Sequence, residues 1–425
     1  MSNGTITQAV TAKRSTRVYH GWIVVAAATV VALFGWGLGF YGPGVYLVAL
    51  QESYGWTTGE LSSAVTLYYL FAASLVLAGG RLFEKFGARP VVALGVIAMA
   101  SGATLLAAVR EVWQVYLAFM VMAIGWAAMS GAAINIIIAP WFDKRRGLAV
   151  SLALTGSGLG GIVLTPLLVA LSTRYGLAAA LHTLVAAMLV LLLPIVLIVL
   201  RPRRADEHDT ADSAADTVMP DSSTSGKPSA APWQLAPTLR SEPFLTISAP
   251  FAIGLMAQVG FLTHQVAFVS PLLGIDASAW AVGVTVLTAM LGRVVTGLFV
   301  GKIDARVVAS GNFLAQALAM AAFLVAEGPA SLYLACGLLG LSVGNMISLP
   351  GIVVQRDFPK EHFARAISLV IGINQFTFAF GPGLLGALRQ AYGSYTPALL
   401  VCLAIHLVAA IVVVAPAIRS LARRP

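Results

Sequence analysis

Long apolar runs alternate with short polar connections along the whole chain. A helix needs roughly 20 apolar residues to cross a hydrocarbon core of about 30 Å. On that ruler twelve runs qualify, at about 22–48, 60–79, 90–108, 112–139, 147–171, 177–200, 243–272, 279–300, 307–326, 330–354, 363–388 and 395–417. Only residues 201–242 break the rhythm. "RADEHDTADSAADTVMPDSSTSGKPSAAP" is acidic, rich in Ser, Ala and Pro, and has no apolar periodicity. Such a segment predicts a largely disordered linker. Its Asp-rich run also fits a metal site on composition, but a solvated linker is the simpler reading.

The linker divides the chain into a bundle at 1–200 and a bundle at 243–425, each with six runs and a short tail. The two halves resemble each other. "WFDKRRGLAVSLALTGSGLGG" follows the fourth run and "QRDFPKEHFARAISLVIGINQF" the tenth, and each leads from an arginine (Arg146, Arg365) into a helix of small residues. Tyr175–Gly176 and Tyr392–Gly393 then close corresponding helices. The fold class is therefore an all-α membrane protein of twelve transmembrane helices in two pseudo-symmetric six-helix bundles. A repeat of six spans points to a transporter whose site lies at the repeat interface.

Composition agrees: 59% of the residues are hydrophobic and 10% charged, and the mean hydropathy is +0.88. A soluble domain does not carry that balance. The net charge of +9 does not indicate nucleic acid, because the basic residues sit in short clusters between apolar runs. With the N-terminus cytoplasmic, 22 of the 26 Lys and Arg fall on the cytoplasmic side, and only Arg110, Arg174 and Arg389 on the other. That asymmetry predicts both termini in the cytoplasm of a bacterial-type inner membrane. The first run is too long for a signal peptide and lacks an obvious cleavage site, so it is expected to be retained. The two cysteines, Cys336 and Cys402, lie in apolar runs, and no disulfide framework is expected.

"GGRLFEKFGARP" (79–90) connects the second and third runs. Glu84 beside Arg81, Lys85 and Arg89 can pair across helix ends. Such a turn is either an ordinary positive-inside connection or a charge-relay latch. Gly80, Glu84, Gly87 and Arg89 match the G-x-x-x-D-x-x-G-R turn of the major facilitator superfamily, with Glu84 where Asp is usual. Its second copy, "GKIDAR" (301–306), keeps Asp304 and Arg306 at shortened spacing. Together with "HGWIVVAAATVVALFGWGLGFYG" (20–42), "WFDKRRGLAVSLALTGSGLGG" (141–161) and "GRVVTGLFVG" (292–301), the chain resembles the monocarboxylate and oxalate/formate porter branch. The resemblance extends over nearly everything outside 201–242. It implies Gly80, Arg81, Glu84, Arg89, Asp304 and Arg306 as a conformational latch.

Glycines punctuate several runs. Gly156, Gly158, Gly160 and Gly161 suit close helix approach. Gly147, Gly156 and Gly160 partly fit the fifth-helix motif of superfamily antiporters, but Gly161 replaces its Pro and the antiport label is not carried over. Gly35 to Gly44 and Gly381–Gly383 suit either flexing or tight packing.

Arg293 stands in the middle of "LTAMLGRVVTGLFVG" (287–301). Eleven residues before Asp304, it is expected about 16 Å above the helix end, near the midplane. An arginine there costs roughly 2.5–3.5 kcal/mol on insertion scales and turns to a partner or a wet cavity. All 17 Asp and Glu fall in connections, tails or helix ends, so no internal counter-ion is evident. The missing negative charge is then the substrate, which a guanidinium fork matches as a carboxylate; the alternative is an arginine bonded to helix carbonyls. The resemblance agrees, since porters of that branch bind the substrate carboxylate with an eighth-helix Arg. Proton-coupled animal carriers have an Asp four residues earlier, where this chain has Ala289.

His264 is the other titratable group deep in a run, either a proton carrier that also lines the anion site or a hydrogen-bonding packing residue. His406 is expected to be peripheral. Tyr41, Tyr68, Tyr69, Trp126, Thr155, Gln258, Asn345, Asn374 and Gln375 lie near the middle of their runs and are wall candidates. Oxalate porters carry a Lys in helix eleven, and the eleventh run here has no Lys or Arg between Ala366 and Leu388. A mono-anion with an apolar body fits better than a dicarboxylate. The sequence thus predicts a secondary transporter of a small organic anion, most simply a monocarboxylate. It would work by alternating access, with protons or a counter-anion coupled, and with no enzyme activity, cofactor, metal or nucleic-acid partner. Oxalate/formate-type exchange and export of drug-like molecules are the alternatives, and a monomer in the lipid bilayer is the default state.

Overall fold

The computed structural model describes residues 19–142, 145–203, 234–299 and 302–422. Among them are twelve helices long and apolar enough to cross a membrane. The first bundle holds α1 (His20–Tyr54), α2 (Thr58–Phe86), α3 (Ala88–Ala107), α4 (Val112–Ile138), α5 (Arg146–Tyr175) and α6 (Leu177–Val199). The second holds α7 (Glu242–Leu273), α8 (Ile275–Phe299), α9 (Ala305–Leu324), α10 (Pro329–Met346), α11 (Glu361–Tyr392) and α12 (Thr396–Arg419). Most of the expected linker, residues 204–233, lies outside the described residues. Its last part is a short helix, Leu235–Arg240.

Helix ends differ from the apolar ruler where polar helix formers follow an apolar run. The expected connection at 79–90 is mostly helix: α2 continues through Arg81, Glu84 and Lys85 to Phe86. Only Gly87, at φ +81°, separates it from α3. Single glycines at positive φ also part other neighbours: Gly55 and Gly274 at the first connection of each half, Gly176 and Gly393 at the last. A side chain at those angles would be strained, and glycine is not. The matched pairs are the sequence repeat in three dimensions.

We call the end carrying His20, Gly87, Val199, Glu242 and Arg419 the basic end, and the end carrying Gly55, Gly176, Gly274 and Gly393 the far end. Bonds between the bundles gather in the far half. The Gly383 N–H of α11 donates to Thr66 Oγ1 of α2 at 2.9 Å. His264 Nε2 of α7 is 3.3 Å from Ser62 Oγ of α2. A Cβ on Gly44 of α1 would stand 2.9 Å from the Thr263 carbonyl oxygen of α7, and one on Gly386 of α11 would overlap Ser62. The bundles therefore meet backbone to backbone at that end. Around the outside, Leu77, Leu94, Val190, Ile198, Leu334 and Ile411 are exposed, as lipid-facing positions should be.

Within the first bundle α5 crosses α1 on glycine. A Cβ on Gly156 would overlap the Thr29 carbonyl, and Gly160 lies equally close to Leu33 and Gly37. Gly158 and Gly161 look the other way, toward Met290 and Val286 of α8. At this crossing both helices loosen into a π turn, Gly37–Tyr41 in α1 and Gly160–Leu164 in α5. Such turns are frequent at functional sites.

Candidate functional site: a cavity between the bundles

A cavity of about 320 Å³ lies between the bundles. Its lining runs from Tyr41 near the seal down to Asn135, Pro350 and Ile371 in the basic-end half, so it opens toward the basic end.

The first bundle supplies an aromatic wall. The π turn of α1 presents Phe40 and Tyr41, and Trp36 stands one turn earlier. Trp126 of α4 lies nearly parallel to Phe40, with ring centroids 5.9 Å apart at 22°, and edge-on to Trp36 at 4.9 Å. Offset and edge-on pairs are the favoured aromatic geometries. Behind them Tyr68, fully buried, donates its hydroxyl to the Gly39 carbonyl at 2.8 Å, and Tyr69 reaches the Phe40 carbonyl at 3.4 Å. The two tyrosines hold the backbone of the π turn and do not line the cavity.

The second bundle supplies the charge. Arg293 of α8 lines the cavity and is exposed to it. The described part of α8 runs from Ile275 to Phe299, which is about 9 Å of helix rise beyond Arg293. Helical side chains lean toward the helix N-terminus. The chain runs from far end to basic end here, so Arg293 leans back toward the centre and lies within reach of Tyr41 electrostatically.

Local backbone geometry positions this arginine. Gly292 lets α8 pack directly on the Leu341 carbonyl of α10, and a Cβ on Gly344 would stand 2.8 Å from Arg293 Nε. At Gly344–Met346 α10 tightens into a 3₁₀ turn. The Ser348 N–H therefore bonds to the Asn345 carbonyl at 3.1 Å, three residues back. The Gly344 carbonyl accepts from Arg293 Nε at 3.0 Å. Among the described residues no acceptor engages Nη1 or Nη2, so the end-on edge of the fork faces the cavity. Among the described residues no Asp, Glu or Lys lines the cavity, and Arg293 is the one cation that does.

Amides complete the wall. Gln258 of α7 and Asn374 of α11 are about 95% buried, at 4% and 5% exposure. Their carbonyl oxygens have no partner. Gln375 lines the same side.

Arg293, Tyr41, Trp126, Asn374 and Gln375 thus come together, and four other expected wall residues stand elsewhere. Besides Tyr68 and Tyr69, Thr155 turns back onto its own helix, bonding the Leu152 carbonyl at 2.6 Å. Asn345 bonds Thr296 at 2.7 Å and Asn312 at 3.0 Å, bracing α8, α9 and α10. His264, 0% exposed, is in the far seal. Its Nε2 is 3.0 Å from the Pro382 carbonyl and its Nδ1 is 3.0 Å from the Tyr395 hydroxyl. A carbonyl only accepts, so Nε2 carries the proton and Nδ1 accepts from the phenol. His406 is fully buried inside the second bundle, bonding the Cys402 carbonyl at 2.7 Å, and does not line the cavity. The cavity residues Trp36, Phe40 and Phe378 were not singled out from sequence. Their one signal is clustering beside the glycines of α1 and the amides of α11.

The latch residues divide by half. Arg306, 3% exposed, pairs with Asp357 at 2.6 Å and donates to the Val413 carbonyl at 2.9 Å and the Pro243 carbonyl at 3.4 Å. Asp304 caps α9 through the Arg306 N–H at 2.9 Å and pairs with Arg356. These bonds tie α7, α9, α12 and the helix after α10 (Leu349–Asp357) together within one bundle. Arg81, Glu84 and Arg89 are exposed, Gly80 has open space around it, and none of the three charges forms an ion pair among the described residues.

Two six-helix bundles, sealed at one end around a cavity open at the other, define a membrane transporter rather than an enzyme. The chain belongs to the Major Facilitator Superfamily, whose family model matches residues 25–358 and 273–425. It is 28% identical over 357 residues to MFS-type transporter 1 of Ophiocordyceps sp., covering 81% of this chain and 73% of that one. It is 26% identical over 389 residues to monocarboxylate transporter 13 of Bos taurus, covering 90% and 85%. In structure it is similar to the nucleoside transporter NupG, with a TM-score of 0.72 at 12% identity over 93% of this chain and 99% of that one.

Proposed function

We propose that the protein is a secondary transporter of a small organic anion, a monocarboxylate, and that Arg293 clamps the carboxylate. One observation carries this: among the described residues, Arg293 presents an unpartnered guanidinium edge to a cavity with no carboxylate in its wall. A cation inside a membrane-spanning bundle turns toward a partner or a wet cavity, and an anionic ligand would meet the free edge of this fork through two parallel charge-assisted bonds. Transport proceeds by rocking of the two bundles around this site. The basic end is cytoplasmic in an inner membrane, so the open cavity faces inward. His264 serves the far seal, and its protonation would act on gating rather than on substrate contact.

The test is uptake into proteoliposomes of labelled lactate, a longer or aromatic monocarboxylate, and oxalate, by the parent and by Arg293→Gln. An inside-alkaline pH gradient and preloaded anion, imposed separately, distinguish symport from exchange. Uptake of a mono-anion that disappears in Arg293→Gln is expected. Equal transport by parent and variant, or no carboxylate transport at all, would make Arg293 structural.

A further inference from the structure

We infer that the body of the transported anion is an aromatic ring, seated on the shelf formed by Trp36, Phe40 and Trp126 while Arg293 holds its carboxylate. The inference rests on the monocarboxylate reading above and narrows it.

Three observations support a ring. The cavity's about 320 Å³ reaches the lower end of the roughly 300–1,000 Å³ typical of sites for drug-sized ligands, far more than a three-carbon acid fills. The guanidinium of Arg293 and the amides Gln258, Asn374 and Gln375 lie on the second bundle and the first adds only Tyr41, Ser130, Asn135 and Ser157, so a small hydroxy acid would leave the remaining apolar wall in water. The apolar wall is itself built of rings at fixed angles: Phe40 and Trp126 are nearly parallel, Trp36 meets Trp126 edge-on at 67°, and Tyr41 meets Phe40 edge-on at 89°. Trp36, Phe40 and Tyr41 are only partly buried, which leaves ring surface for a ligand. The Tyr68 and Tyr69 hydroxyls fix the backbone beneath this shelf, so it is organised before any ligand arrives.

The shelf belongs to one bundle and the cation to the other. An aryl carboxylate therefore touches both, and how well it does so depends on how the bundles are turned. Such a ligand has the differential affinity for two states that a shift between them requires. A short acid held by Arg293 alone has less of it.

The test is direct calorimetric binding to the detergent-purified full-length protein, with phenylacetate, cyclohexylacetate, lactate and 2-phenylethanol as probes. Phenylacetate is expected to bind about five- to tenfold more tightly than cyclohexylacetate, the size of an aromatic pair contact beyond area, and more tightly still than lactate. In Phe40→Leu or Trp36→Leu, whichever retains the parent's thermal stability, the phenyl-to-cyclohexyl ratio should fall to about one. Equal binding of phenylacetate and cyclohexylacetate, tightest binding of lactate, or an unchanged ratio in both variants would overturn the aromatic site. Failure of the carboxylate reading looks different: 2-phenylethanol would bind as tightly as phenylacetate, with the ring preference intact. Absence of binding by every carboxylate would overturn both.

Discussion

The two bundles share a fold and divide the chemistry. The first packs α5 on α1 through glycine contacts, and its cavity wall presents the rings of Trp36, Phe40, Tyr41 and Trp126 beside smaller residues such as Ser130, Asn135 and Ser157. The second carries Arg293, Gln258, Asn374 and Gln375 on its wall, and a buried ion-pair cluster around Arg306 at its basic end. The equivalent charge in the first bundle, Arg89, is exposed. The repeat thus conserves turns and helix crossings between halves but not polar side chains. One half gives the cavity its shape and the other its charge, and a ligand that needs both must lie between them.

Substitutions that break this division should rank by how much packing or charge they disturb. Gly156→Leu drives a side chain into the Thr29 carbonyl and should abolish folded protein, read as loss of the monodisperse peak in size-exclusion chromatography. Arg306→Ala leaves the partly buried Asp357 with only the 3.9 Å contact to Arg356 Nε and should cost about 3–5 kcal/mol in thermal unfolding. Its counterpart Arg89→Ala should stay within about 0.5 kcal/mol, as exposed sites usually do. Comparable losses for both would show that the halves are braced alike. At the seal, Gly44→Val crowds the Thr263 carbonyl and should favour the state open at the far end. A cysteine placed at Thr66 should then react several-fold faster with an impermeant maleimide. The native Cys336 and Cys402 are buried and give little background. A smaller effect than the loss of Arg306 is expected from Arg293→Lys, which keeps the charge and loses the fork. A roughly tenfold weaker carboxylate affinity by calorimetry, about 1.4 kcal/mol, is expected.

Much of the architecture is legible because a membrane makes hydrophobicity a ruler. Run length placed the twelve helices, and the linker's composition separated the halves. Arg293 was conspicuous because a lone cation in an apolar run has few physical excuses. Which face of a helix meets the cavity was not legible. Tyr68 and Tyr41 are both aromatic, polar-tipped and mid-span, yet one braces a backbone turn and the other lines the wall. An apolar helix buried on most sides has no polar face to mark the difference. The π turn at Gly37–Tyr41 was equally hidden, because glycine runs permit a bulge without requiring it. For the same reason nothing in the apolar run of α1 sets Trp36 and Phe40 apart. The helix end at Phe86 depends on the glycine turn at Gly87, which hydropathy does not register.

The most direct test of Arg293 as the carboxylate clamp is proteoliposome uptake of a labelled aromatic monocarboxylate, parent against Arg293→Gln, at matched protein incorporation. Saturable uptake by the parent and background counts from the variant are the expected result. Uptake by the variant at the parent's rate would contradict the clamp and leave Arg293 as a brace between α8 and the Gly344 carbonyl.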